Sequence, residues 1–147
     1  MVPGTAALEG YPPDVHLLRR LLTGSGRLPP DLRAELVAEQ PLLLEEGLPG
    51  SITLRHYRAP GQRAGWKKRA ISGAIAVTPH RLVVGVGGRK NVDIPLTHPR
   101  RSALTVVAET PDRVCIAYDA GAFDDTRSGQ VEVRLRTPQA PRIAALL

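Results

Sequence analysis

A sustained alternation of apolar and polar side chains, running from Ser51 almost to the C-terminus, constrains the fold of this chain more than any other feature. Ile52 and Leu54 alternate with Thr53 and Arg55, which predicts a half-buried strand over 51–58. Ile71, Gly73, Ile75 and Val77 form the inward set of a long second strand over 67–78, with APGQRAGW (59–66) as the connecting loop. Leu82, Val84 and Val86 mark a third strand, and Gly87 and Gly88 permit a tight reversal into Val92, Ile94 and Leu96. SALTVVAE and RVCIAYD pair across TPDR, setting Leu104 and Val106 against Val114 and Ile116. The acidic, small-residue loop DAGAFDDTRSG leads to a seventh strand carrying Val131, Val133 and Leu135. The final TPQAPRIAALL, with Ile143, Leu146 and Leu147 as its apolar edge, predicts a short terminal helix.

Before residue 42 the period is helical. Residues 1–12 are small, Pro- and Gly-containing and non-periodic, which predicts a frayed terminus. Asp14 can cap a helix with Val15, Leu18, Leu21 and Leu22 on one side and Gly24 as its stop. Pro30 and Asp31 open a second helix with the stripe Leu32, Leu36 and Val37, and Pro41 ends it. The expected organisation is an N-terminal helical arm over 1–41, built as a helical hairpin, followed by a β domain over 42–147. Helices this short are unstable alone, so their stripes must pack on the β domain or pair with a second copy as a homo-oligomer. Leu42–Leu44 form an apolar run before EEGLPG, whose Gly47, Pro49 and Gly50 read as a turn.

Charge is distributed unevenly. The segment 51–101 holds eleven Lys or Arg residues and one acid, Asp93, or +10, and the remainder of the chain carries −4. Such polarity favours anionic partners: an acidic lipid headgroup, an acidic protein surface or nucleic acid. Nucleic acid is disfavoured, because single-strand binding stacks bases on several exposed aromatics, and among the few aromatics of the chain the candidates for this are Tyr57, Trp66 and Tyr118. One cysteine, Cys115, excludes an intramolecular disulfide and a thiol metal cluster within one chain. MVPGTAALEGYPP lacks the features of a signal peptide, and the longest apolar runs fall well short of the ~18 residues of a spanning helix. The expected location is cytoplasmic, with peripheral association at the inner face of a membrane left open.

No catalytic constellation can be assembled, and the expectation is a binding protein without cofactor or metal. GVGGRKN (85–91) lacks the GxxxxGK[ST] spacing and leads into a strand, so it reads as a hairpin turn. His16, His56, His80 and His98 are scattered, and Asp124 and Asp125 stand without further ligands. Cys115, in an apolar strand, reads as a packed residue.

Seven antiparallel strands in sequence followed by one C-terminal helix is the element order of the pleckstrin homology (PH) superfold, and residues 51–147 resemble a bacterial PH-like domain. The resemblance implies a mainly β, seven-stranded antiparallel barrel, partly open and capped by the short C-terminal helix. In lipid-binding members, a basic residue late in the first strand and a basic-x-basic pair opening the second surround an inositol phosphate. Here these would be Arg58, Lys67 and Arg69. By strict alternation Arg58 shares the side of Ile52 and Leu54, and Lys67 and Arg69 that of Ile71, so all three are expected at one barrel mouth. Arg55, Arg63 and Lys68 flank them, and Trp66 is expected at the bilayer interface. The chain departs from the eukaryotic PH pattern in lacking a tryptophan in the terminal helix. The resulting expectation is a non-catalytic adaptor that recognises an anionic partner through its first hairpin. Three alternatives stay open: a protein-interaction scaffold using the sheet edge or the helical arm, weak nucleic-acid binding, and a merely solvated hairpin tip with Trp66 folded onto Leu54 or Tyr57.

Overall fold

The computed structural model describes residues 26–147. Helix α1 (Pro30–Ala38) precedes strands β1 (Leu43–Ala59), β2 (Gln62–Val77), β3 (Arg81–Val86), β4 (Arg89–Pro95), β5 (Leu104–Thr110), β6 (Arg113–Asp119) and β7 (Ser128–Arg136), and helix α2 (Ala140–Leu146) closes the chain. All neighbouring pairs are antiparallel, in the order β4-β3-β2-β1-β7-β6-β5. The sheet curls into a half-barrel whose edge strands, β4 and β5, do not pair with each other.

Alternation dictates which side chains fill the concave face. Ile71, Ile75, Leu82, Ile116 and Leu135 are fully buried there, and the core is almost wholly aliphatic. Ala140 and Ile143 of α2 join this core at the end where β1 begins and β2 ends, and Arg142 donates to the Leu42 carbonyl at 2.7 Å. The opposite end of the half-barrel stays open.

The expected second helix is present as α1; the expected first helix, beginning at Asp14, lies outside the described residues. Leu28, Leu32 and Leu36 pack on Ala74, Ala76 and Val83, on the convex side of β2 and β3. Val37, expected in the same stripe, is instead 48% exposed. Because core covers one face of β2 and α1 the other, every residue from Ile71 to Val77 is buried. Burying Leu32 and Leu36 contributes on the order of 2 kcal/mol each.

Two connections differ from their sequence reading. The loop expected over 59–66 shrinks to Pro60 and Gly61, the latter at φ +72°, and the rest pairs as strand: Tyr57 with Ala64 and Arg58 with Arg63. A Pro-Gly pair suffices to reverse the chain, so the flanking residues continue the ladder. The turn expected at EEGLPG is a bulge inside β1, with the register shifting between Glu45 and Leu48 and Gly47 at φ +72°. The extra residues address the α1 approach. Glu46 accepts from the Leu28 N–H and from Arg33 Nε, both at 2.9 Å, and the Gly47 N–H donates to the Gly26 carbonyl.

At its other end α1 is tied to β3 and β4 by Arg81, which meets Glu39 at 2.7 Å, Asp93 at 2.9 Å and Glu35 at 3.3 Å. Thr78 Oγ1 also donates to Glu39. The Arg81 guanidinium holds the Glu39 carboxyl below its ordinary value near 4.5, against the opposing effect of partial burial. Arg81→Met should cost about 2 kcal/mol in chemical denaturation, since it leaves the partly buried Glu39 without a cation and Asp93 with Lys90 alone. A lowered folded-state pKa means that the stability from ionised Glu39 is present above the unfolded value and is lost as pH falls through the folded one. Glu39→Gln should therefore show a shallower loss of stability below about pH 4.5 than the parent chain, measured by unfolding across that range.

Candidate functional site

The open end of the half-barrel is a cleft of ≈ 460 Å³ where the β1–β2 ribbon, the β3–β4 turn and the β6–β7 connection converge. Its size falls in the range of small-ligand sites. The floor is apolar, formed by Ile52, Leu54, Tyr57, Tyr118, Phe123 and Val131. Tyr118 lies edge-on to Phe123, with ring centres 6.1 Å apart. Its hydroxyl donates to Asn91 Oδ1 at 2.8 Å, and burial, with the nearby Tyr57, pushes the phenol far above its ordinary pKa. Burial thus favours the protonated phenol, whose single O–H is committed to Asn91. Asn91 is available for this because β4 carries one extra residue opposite the step from Val84 to Gly85.

Four cations stand on the lining of the cleft: Arg69 from β2, Arg89 and Lys90 at the start of β4, and Arg127 just before β7. Lys90 pairs with Asp93 at 3.5 Å and Arg127 with Asp124 at 3.3 Å. The Asp124 carboxyl is held below its ordinary range, chiefly by hydrogen bonds from Thr126. No carboxylate among the described residues lies within ion-pair distance of Arg69 or Arg89. Asp93 is also shared with Arg81, so the cleft keeps a positive excess.

Of the three cations expected to meet at one mouth, only Arg69 reaches the cleft. Lys67 shares the concave side of the ribbon opposite Leu54 but remains exposed. Arg58 is turned away by a bulge. Between Arg55 and Arg58, His56 and Tyr57 face the single residue Gly129 of β7, and His56 takes φ +50°. The inward set therefore runs Ile52, Leu54, Tyr57 instead of continuing to His56 and Arg58, and Tyr57 is 6% exposed. Arg58 and Arg63 stand at the ribbon tip beside Gly61. Arg55, Trp66 and Lys68 line a shallow depression on the convex face with Glu109, Arg113 and Arg134. Trp66 is 62% exposed on that face and does not fold back onto Leu54 or Tyr57, which face the core.

The convex face is a network of alternating charge. Glu132 meets Arg55 at 3.5 Å and Arg134 at 3.0 Å, and Glu109 meets Arg134 at 3.0 Å and Arg113 at 3.4 Å. Cys115 is buried beneath this network, and burial raises its thiol pKa, which opposes nucleophilic chemistry. Among the described residues no group of three His, Cys, Asp or Glu side chains is placed to hold a metal ion.

Sequence reasoning missed Arg89, Lys90, Asn91 and Arg127. The available signal was positional. Gly87 and Gly88, at φ +63° and +85°, force the reversal that returns Arg89 and Lys90 to the same end as the β1–β2 ribbon.

Comparison of the chain with protein-family models, with curated proteins and with solved structures finds no significant match in any of the three.

The bulge that sets which cations face the cleft depends on Gly129, at φ +102°, where a Cβ would meet the His56 carbonyl oxygen at 2.4 Å. Gly129→Ala should lower stability by about 2 kcal/mol or more in denaturant unfolding. Gly65→Ala, where a Cβ meets nothing within 4 Å, should stay within about 0.5 kcal/mol of the parent.

Proposed function

We propose that this chain is a non-catalytic PH-like binding module that takes an anionic group, such as the phosphorylated headgroup of an acidic lipid, at the open end of its half-barrel. The seven-stranded antiparallel order and the terminal helix over the other end agree with that architecture. The observation that carries the reading is the convergence of Arg69, Arg89, Lys90 and Arg127 on one apolar-floored cleft, with two of the four lacking a carboxylate partner among the described residues. A bare structural role would leave such cations paired or scattered. Arginine forks suit the recognition of a phosphate by paired hydrogen bonds, and the Asn91 amide, its Oδ1 engaged by the Tyr118 hydroxyl, supplies a neutral N–H donor deeper in the cleft. The first hairpin keeps a part through Arg69, with Lys67 beside it on the concave side; the β3–β4 turn and the β6–β7 connection provide the rest.

No helix among the described residues is long and apolar enough to cross a membrane, so contact with lipid in this reading is made from the aqueous side. Each basic residue held near an anionic leaflet contributes about 1 kcal/mol, so the cations of the cleft, two of them offset by Asp93 and Asp124, support a weak, salt-sensitive association. Nucleic acid gains little support, since Tyr57 and Tyr118 are buried and leave Trp66 as the exposed large aromatic among the described residues.

The test is co-sedimentation with vesicles of neutral lipid carrying a phosphorylated anionic lipid, at low and moderate salt. Arg89→Glu with Arg127→Glu should reduce binding by about tenfold or more, whereas Arg58→Glu with Arg63→Glu should change it by no more than about threefold. No binding by the parent chain, or equal losses in the two variants, would refute a specific site in the cleft.

A further inference from the structure

The outer edge of β2 is open along most of its length. β1 pairs with β2 from Gln62 to Val77, but β3 does so only from Gly73 to Val77, and no other strand among the described residues pairs with 62–70. The Ser72 carbonyl, which accepts the Gly87 N–H at 2.9 Å, marks where pairing on this side ends. In a regular antiparallel strand the N–H and C=O groups of alternate residues address the same side. Ser72 therefore assigns Trp66, Lys68 and Ala70 to the outer edge, while Lys67 and Arg69 bond to β1. An exposed row of this kind is a template for one more strand.

Charge selects the strand that can pair there. Between Gln62 and Ala70 stand Arg63, Lys67, Lys68 and Arg69 without a single acid, and none has a carboxylate partner within ion-pair distance among the described residues. A second copy of β2 would set the same cations against one another and is repelled; a neutral strand gains no attraction to them. An acidic strand that alternates with apolar residues places its carboxylates opposite Lys67 and Arg69 on the concave side and its apolar face beside Trp66. Trp66, 62% exposed on the convex face with Arg55 as its cross-strand neighbour, adds an apolar anchor of the kind enriched at protein interfaces.

We propose that the outer edge of β2 over 62–70 captures an acidic, extended peptide segment by strand addition, through the backbone groups of Trp66, Lys68 and Ala70. At ~3.3 Å per residue the edge spans about 30 Å and takes a segment of about eight to ten residues. The backbone ladder needs none of Arg89, Lys90 or Arg127, and Arg69 is the cleft cation that the edge shares.

The experiment is amide hydrogen exchange on the ¹⁵N-labelled full chain, with and without a capped peptide of about ten residues alternating Glu and Val. The amides of Trp66, Lys68 and Ala70 should exchange about tenfold more slowly, or slower still, with peptide, while those of Lys67 and Arg69 change little. A peptide with Lys in place of Glu should leave all five unchanged. Lys68→Pro deletes an outer donor without touching the β1 ladder, and should weaken binding at least about tenfold at a near-parental unfolding midpoint. Should that variant fail to fold, Lys67→Glu with Lys68→Glu should weaken binding by a similar factor. The proposal is overturned if the three amides are unprotected at saturating peptide, or if peptide-induced shifts are confined to Arg89 and Arg127. It is equally overturned if the chain dimerises and protects the same amides without peptide.

Discussion

The two-sided clamp on β2 is the constraint on which the rest of this structure depends. From Ile71 to Val77 the strand is buried on both faces, by the concave core on one and by Leu28, Leu32 and Leu36 on the other. Before Ile71 that enclosure ends, and the strand emerges as half of a long ribbon held by β1 alone. Arg69 stands at the point of emergence. One transition in burial therefore separates a rigid base from an exposed arm, and it creates both the open end of the half-barrel and a free strand edge. Small residues make it possible, because Ala74 and Ala76 let α1 approach the sheet closely.

Electrostatics divides the basic residues into two populations with different roles. Arg81 and Arg134 are each held by more than one carboxylate, and they tie α1 to the sheet and β7 to β5 across β6. Arg58, Arg63, Lys67, Lys68, Arg69 and Arg89 have no such partner among the described residues, and they cluster on the ribbon and at the adjoining β3–β4 turn. Like charges kept together without compensation destabilise a compact chain modestly, and it is on these cations that the proposed anion recognition rests. The net charge of the segment 51–101 blends these populations and overstates the number of cations available to a partner.

The alternation of apolar residues makes the number and succession of the strands legible in the sequence, but not the pairing of β1 with β7. Val131, Val133 and Leu135, and the pairing of Leu104–Thr110 with Arg113–Asp119, follow from a period of two and a short turn. Positions governed by a single backbone irregularity were not legible. The left-handed His56 is not a glycine, and the residue that makes room for it, Gly129, lies in another strand. Nothing local to SITLRHYR signals that Tyr57 turns inward and Arg58 outward. The same holds for Asn91, which is freed by an extra residue in β4 and engaged by Tyr118 from across the half-barrel. On regular strand Arg69 and Lys67 keep the side that alternation assigns them, although only Arg69 reaches the cleft; Arg58, beyond the bulge, is turned to the other side.

The central claim is that anion recognition belongs to the cleft at the open end and not to the ribbon tip or the convex face. It is tested most directly by titrating ¹⁵N-labelled full-length chain with inorganic phosphate and with a soluble inositol phosphate, following backbone amides and arginine Nε–H signals. The account predicts saturable shifts at Arg69, Arg89 and Arg127, with Asn91 and Tyr118 following as the deeper groups respond. Shifts centred on Arg58 and Arg63, or on Arg55, Trp66 and Lys68, would contradict it.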